Sequence, residues 1–149
     1  MLFRSITDPR MTRFNISLQE GVEMVLWALE NAWGGEIFVP KIPSYRITDV
    51  AKAIAPNSKY PISGIRPGEK IHEEMITSSD SHSTVDLGNY YAILPTNSAY
   101  TLSEYCSKTL AIPVEPGFNY NSGDNKHFLT IEELQALIRE HVDPSFVAS

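Results

Sequence analysis

Residues 17–42 read SLQEGVEMVLWALENAWGGEIFVPKI. Ser17 and Glu20 form an S-x-x-E capping box, in which hydroxyl and carboxylate satisfy two orphan amides of a helix start. Val22, Val25, Leu26 and Leu29 then recur at helical spacing, and Trp33 extends that face. The Gly34-Gly35 pair predicts the helix end, since glycine accepts the left-handed backbone of a C-cap. Beyond it, Glu36 to Ile42 reads as a strand. Pro40 has no amide to donate and places that strand at an edge or in its last turn. A capped helix handing over to a strand across two glycines predicts a mixed α/β layer.

Residues 1–10 carry no period and read as a lead-in, followed by an extended stretch from Met11 to Ile16. Ile47 to Ala55 predicts a second helix, with Thr48 or Asp49 at its start and Pro56-Asn57 beyond its end. Residues 60–66 read as a short strand. Pro67-Gly68-Glu69-Lys70 then turns the chain into a helical turn over Ile71 to Ile76, with a polar loop from Ser78 to Ser83. Tyr90 to Leu94 is a third strand, stopped by Pro95. Thr96 to Asn125 shows no clean period and reads as irregular surface chain. A second capping box, Thr130 with Glu133, opens a last helix with Leu134, Leu137 and Ile138 on one face. Residues 142–149 read as a loose tail. The expectation is one domain over 1–149, mixed α/β, with strands too short for a complete doubly wound fold.

The chain has 149 residues, room for one domain with a core and too few for two ordinary ones. Its 42% hydrophobic and 20% charged residues belong to a globular protein. The apolar run from Val22 to Leu29 is cut by Glu23 and falls short of the ~20 residues of a membrane helix. A net charge of −6 without a basic run argues against a nucleic-acid partner. The first ten residues carry Arg4, Asp8 and Arg10 and no apolar block, so no secretory signal is read there. The single cysteine, Cys106, suits a reducing compartment, and a cytoplasmic location is expected. Small molecules or other proteins remain as partners.

His72-Glu73-Glu74 invites a zinc-protease reading, but an H-E-x-x-H motif fails because position 76 is isoleucine. His72 and Glu73 are weighed instead as pocket wall or solvated surface. Cys106 has only Lys108 as a nearby cation and reads as an inert thiol. Trp27 and Trp33 read as packing residues.

Three stretches carry a stronger signal: DPRMTRF at 8–14, GEIFVPKIPS at 35–44 and GIRPGEKIHEEM at 64–75. In this order and spacing they resemble the C-terminal half of the inverting UDP-N-acetylglucosamine 4,6-dehydratases, members of the extended short-chain dehydrogenase/reductase superfamily. The resemblance runs from about residue 6 to residue 94 and resumes weakly near residues 118–134. It implies a substrate-binding C-terminal subdomain of an extended short-chain dehydrogenase/reductase, without the Rossmann domain, in surface-polysaccharide biosynthesis. It also implies a UDP-sugar site in which Arg13, Arg66 and Glu69 match positions that meet the diphosphate and ribose. Arginine's planar fork suits a diphosphate better than lysine's point charge. Pro67-Gly68 would set Arg66 and Glu69 on one side of a tight turn. Arg10, Lys41 and Lys70 read either as further positive potential near a phosphate or as plain surface charges. Asn15 departs from the aromatic residue common at that position.

The family's chemistry uses NADP, which needs a glycine-rich turn at a helix N-terminus. The glycines stand at 21, 34, 35, 64, 68, 88, 117 and 123 and make no G-x-G-x-x-G. No tyrosine is followed four residues later by lysine, so the superfamily's Y-x-x-x-K pair is missing too. The expectation is therefore no catalytic residue and no cofactor bound by this chain alone. Two explanations stay open: a detached C-terminal half that self-associates over an exposed apolar face, or half of an active 4,6-dehydratase that works with a separate Rossmann-domain partner or within a longer parent chain. A structural module with a decayed sugar site is the third reading.

Overall fold

A computed structural model describes residues 5–148 of the chain. Contacts between residues divide it into two compact units. The first takes in Met1–Asn15, Pro43–Glu73 and Ser122–Ser149; the second takes in Ile16–Ile42 and Glu74–Asn121.

In the first unit, β1 (Thr12–Phe14) pairs antiparallel with β3 (Ser44–Arg46), Arg13 standing opposite Tyr45. Helix α2 (Ile47–Ile54) follows β3 directly, and α4 (Ile131–His141) packs against it. Ala53, Leu129 and Leu134 form the core between them, with Tyr45, Val50 and Leu137 at its edge. Thr130 and Glu133 cap α4 reciprocally, as expected from their spacing. Neither Thr48 nor Asp49 caps α2: its N-cap is Arg46, with no side-chain cap bond, and Asp49 lies in the first turn. The chain enters α2 straight from a strand, so the turn that a capping side chain would close does not exist.

In the second unit, a four-stranded antiparallel sheet has the order β2 (Ile37–Pro40), β6 (Tyr90–Ile93), β5 (Thr84–Asp86), β7 (Ile112–Pro113). Pro40 lies at the end of an edge strand, where its missing amide costs no ladder bond. Val85, Ala92, Leu94, Tyr105 and Ala111 form the core of this unit. Helix α1 (Leu18–Asn31) carries the expected Ser17–Glu20 box and stops at Asn31, three residues before Gly34. Asn31 Nδ2 donates to the Trp27 carbonyl at 2.8 Å and closes the last turn. Trp27 packs edge-on against Phe38 and Trp33 packs on Tyr100 and Tyr105, so both tryptophans are packing residues. No residue of α1 is buried: Leu18 is 87% and Leu29 78% exposed, and Val22, Val25 and Leu26 are exposed with them.

Three expectations are corrected. The strand expected over 60–66 is a single parallel bridge, Ile62 to Ile6; the run from Pro61 to Gly68 is exposed, and no strand among the described residues completes a ladder with it. The helical turn expected over 71–76 is extended chain, with β4 (Glu74–Ile76) paired to β8 (Tyr120–Asn121). Ile71 offers its carbonyl sideways to the Thr12 amide at 3.0 Å, not to its own segment. The stretch 96–125 holds a helix, α3 (Leu102–Thr109), opened by a third capping box of Thr101 and Glu104.

Candidate functional site

The expected ligand residues Arg13, Arg66 and Glu69 all fall in the first unit. Arg66 and Glu69 occupy one turn. The Glu69 amide donates to the Arg66 carbonyl at 3.1 Å, and the Glu69 carboxylate accepts from the Arg66 amide at 2.9 Å. Gly68 has φ +86°, a backbone that L side chains adopt only under strain, so the Pro-Gly pair sets the turn. One carboxylate oxygen of Glu69 thereby fixes the turn. The Arg66 guanidinium is exposed and has no hydrogen bond or ion pair among the described residues.

Arg13 is engaged in a different way. Nη1 donates to the carbonyls of Thr12 at 2.6 Å and Ile71 at 3.1 Å, and Nη2 donates to that of Lys70 at 3.2 Å. Nε lies 3.3 Å from the Glu73 carboxylate. The guanidinium is thus spent on the segment Lys70–Glu73 that follows the Arg66 turn, and its fork matches two successive carbonyls. Of the other cations considered, Arg10 forks onto Asp8, whose carboxyl its hydrogen bonds hold at about 2. In the second unit, Lys41 is paired with Asp86 at 2.6 Å and covers the Tyr91 ring. Arg66 is left available for an anion, and so is Lys70, which is exposed and has no ion pair among the described residues.

A second set of residues holds the same segment. Thr12, only 5% exposed, bonds His72 Nδ1 through its hydroxyl at 2.8 Å and the Ser122 hydroxyl at 2.7 Å. Ser122, fully buried, accepts from the Glu73 amide at 2.9 Å. The His72 ring lies over Gly123, where an added Cβ would meet ring atoms at 2.7 Å. No local pattern singles out Thr12, Ser122 or Gly123, because their link to His72 depends on chain reversals far apart. Among the described residues no group of His, Cys, Asp or Glu could hold a metal ion. The Cys106 thiol is pushed up by burial, in keeping with an inert cysteine. No helix of the described residues is long and apolar enough to cross a membrane.

The mixed α/β fold is that of part of a short-chain dehydrogenase/reductase. The family described as polysaccharide biosynthesis protein matches residues 4–95, and the chain belongs to that family. It is 48% identical over 139 residues to a UDP-N-acetylglucosamine 4,6-dehydratase (inverting) of Campylobacter jejuni, covering 89% of this chain and 41% of that protein. It is 37% identical over 141 residues to a UDP-glucose 4-epimerase of Rickettsia bellii, covering 90% of this chain and 40% of the relative. A Methanocaldococcus jannaschii protein described as an uncharacterized membrane protein is 34% identical over 147 residues, covering 91% of this chain and 40% of that protein. Among solved structures, Pen from Bacillus thuringiensis superposes with a TM-score of 0.73 at 26% identity, over 91% of this chain and 40% of Pen. The chain therefore spans about two fifths of the length of these relatives.

Proposed function

We propose that this chain is the UDP-sugar-binding portion of a UDP-N-acetylglucosamine 4,6-dehydratase-like protein of nucleotide-sugar biosynthesis, acting in the cytoplasm and not catalytic alone. One observation carries the reading: an unpaired Arg66 guanidinium on a turn fixed by Gly68 and Glu69, inside the family-matched stretch. A guanidinium held on a stiff turn meets a diphosphate with little ordering cost. Arg13 and Glu69 belong to the same site, Glu69 keeping one carboxylate oxygen for a ribose hydroxyl. The names of two relatives share the UDP-sugar and differ in the sugar, which supports the nucleotide end as what this portion recognises.

NADP is the cofactor of the implied reaction, and the residues of this chain do not fit it. None of its glycines builds the phosphate-binding turn, and no Tyr–Lys pair is present. Binding and orienting the nucleotide is the task its own residues suit. The covering partner of α1 is read as a cofactor-binding Rossmann layer, on the same polypeptide or another. Leu18, Val22, Val25 and Leu29 follow one another at spacings of four, three and four and leave an apolar seam open. The helix carries Glu20, Glu23 and Glu30 and no basic residue, so two copies of α1 would set like charges together. A protein of the relatives' length has the mass for that layer.

Calorimetric titration with UDP and UDP-N-acetylglucosamine tests the reading. Binding that is lost in Arg66→Ala supports it. Absence of heat at millimolar ligand sinks it and favours a decayed site, and unchanged binding by Arg66→Ala removes Arg66 from the site.

A further inference from the structure

Donor counting around Thr12 gives the hydrogen bonds a direction. The Glu73 amide can only donate, so the Ser122 hydroxyl accepts from it and keeps one proton of its own. Ser122 is fully buried, and its remaining partner is Thr12. If Thr12 donated to Ser122, the Ser122 proton would be buried without an acceptor, an expensive arrangement. Ser122 therefore donates to Thr12, and Thr12 donates to His72 Nδ1. The imidazole proton then sits on Nε2.

That nitrogen has no partner among the described residues, and His72 is exposed. Two buried hydroxyls, 110 residues apart in the chain, thus orient one solvent-facing N–H. Gly123 is the floor that lets the ring lie there, since any Cβ would strike it. The ring stands three residues beyond Glu69, on the segment that Arg13 holds by two carbonyls.

We propose that His72 is a further ligand contact of this site, its Nε2–H donating to an acceptor oxygen of a bound nucleoside diphosphate, with Thr12 and Ser122 as its positioning residues. The inference rests on the proposed UDP-sugar site and deepens it. A buried relay that fixes tautomer and ring plane pre-organises the donor, as the partners of catalytic imidazoles do.

The test uses UDP as probe and the full chain. In the free protein, nitrogen chemical shifts of the His72 ring should report the Nε2–H tautomer, with a mixture in Thr12→Val. UDP affinity should fall about tenfold in His72→Ala, the scale of one hydrogen bond to a charged group. His72→Gln, which keeps a terminal N–H, should recover part of that loss. Thr12→Val should weaken UDP in the wild-type background and add nothing to His72→Ala, since a positioning residue has nothing left to position. An Nδ1–H tautomer in the wild type overturns the relay. Wild-type affinity in His72→Ala, with binding lost in Arg66→Ala, overturns the contact and leaves the UDP-sugar reading intact. No UDP binding by the wild type removes both.

Discussion

Arg13 Nη1 reaches the carbonyl of Ile71 at 3.1 Å across 58 residues, and Nη2 takes the carbonyl of Lys70 just before it. The strand β1 thereby holds the chain that leaves the Arg66 turn. Arg13 has only a quarter of its side chain exposed, and its Nε faces Glu73.

The first prediction follows from that grip. Arg13→Lys keeps the charge and loses the fork, so the Lys70 and Ile71 carbonyls are no longer bridged and Ile71 keeps only the Thr12 amide. Amide hydrogen exchange at Thr12 and across 70–73 should accelerate at least tenfold, equivalent to about 1.4 kcal/mol of local opening. Exchange in α4 should stay as in the wild type. Uniform protection in the variant would show that the segment holds itself, and would return Arg13 to a purely ligand-facing role.

Gly68 gives a second prediction. Open space surrounds it, so a methyl group meets no neighbour, yet φ is +86°. Gly68→Ala should cost about 1 kcal/mol through backbone strain alone. Because the strain falls on the turn that presents Arg66, UDP affinity should drop more than a surface Gly→Ala change elsewhere would cause. Urea midpoints and calorimetry on the same preparation separate the two effects; loss of stability with unchanged affinity would detach Gly68 from the site.

How much of the fold and site is legible in the sequence depends on how local each feature is. The Ser17–Glu20 and Thr130–Glu133 boxes fix two helix starts within four residues, and both are readable. Thr101–Glu104 has the same spacing, but its helix has eight residues and one buried side chain, Tyr105, so no apolar period supports it. Arg66 and Glu69 can be paired because Pro67-Gly68 is a local turn signal. Thr12, His72, Ser122 and Gly123 cannot, because their meeting depends on where β1 and the 122–123 chain come to lie. The apolar face of α1 is legible as a face, while its exposure is a matter of what surrounds it, which no period encodes.

Leu110, in the second unit, provides a third prediction. It is the C-cap of α3 in the left-handed region, φ 60° and ψ 18°, the one described residue other than glycine with positive φ. Its side chain is 86% exposed, so little packing is lost on replacement. Leu110→Gly should stabilise by about 0.5–1 kcal/mol, seen as a higher urea midpoint at unchanged slope. A lower midpoint would mean that the exposed leucine makes a contact in solution.

Tyr105 sets the alkaline limit. Its phenol is pushed up to about 12, first by burial, then by the charges of Glu36, Tyr100 and Cys106. A group whose folded pKa lies above its unfolded value of about 10 contributes fully below pH 10 and loses that contribution as pH rises toward 12. Wild-type stability should therefore decline between pH 10 and 12 more steeply than that of Tyr105→Phe, which has no proton to lose. Parallel declines in the two proteins would place the alkaline transition elsewhere.

The last prediction concerns α1. Leu18 and Leu29 are 87% and 78% exposed, so folding of this chain does not depend on them. Replacing both by lysine should leave the unfolding free energy from urea titration within about 0.5 kcal/mol of the wild type. The same change should abolish association with a cofactor-binding Rossmann domain supplied in trans, because two charges then face an apolar seam. Light scattering on the isolated chain distinguishes the occupants. A wild-type monomer that gains mass only with the added domain supports that partner. A wild-type dimer converted to monomer by the two lysines makes a second copy the occupant, despite the like charges of Glu20, Glu23 and Glu30. A wild-type monomer that ignores the added domain would sink the docking role of the seam.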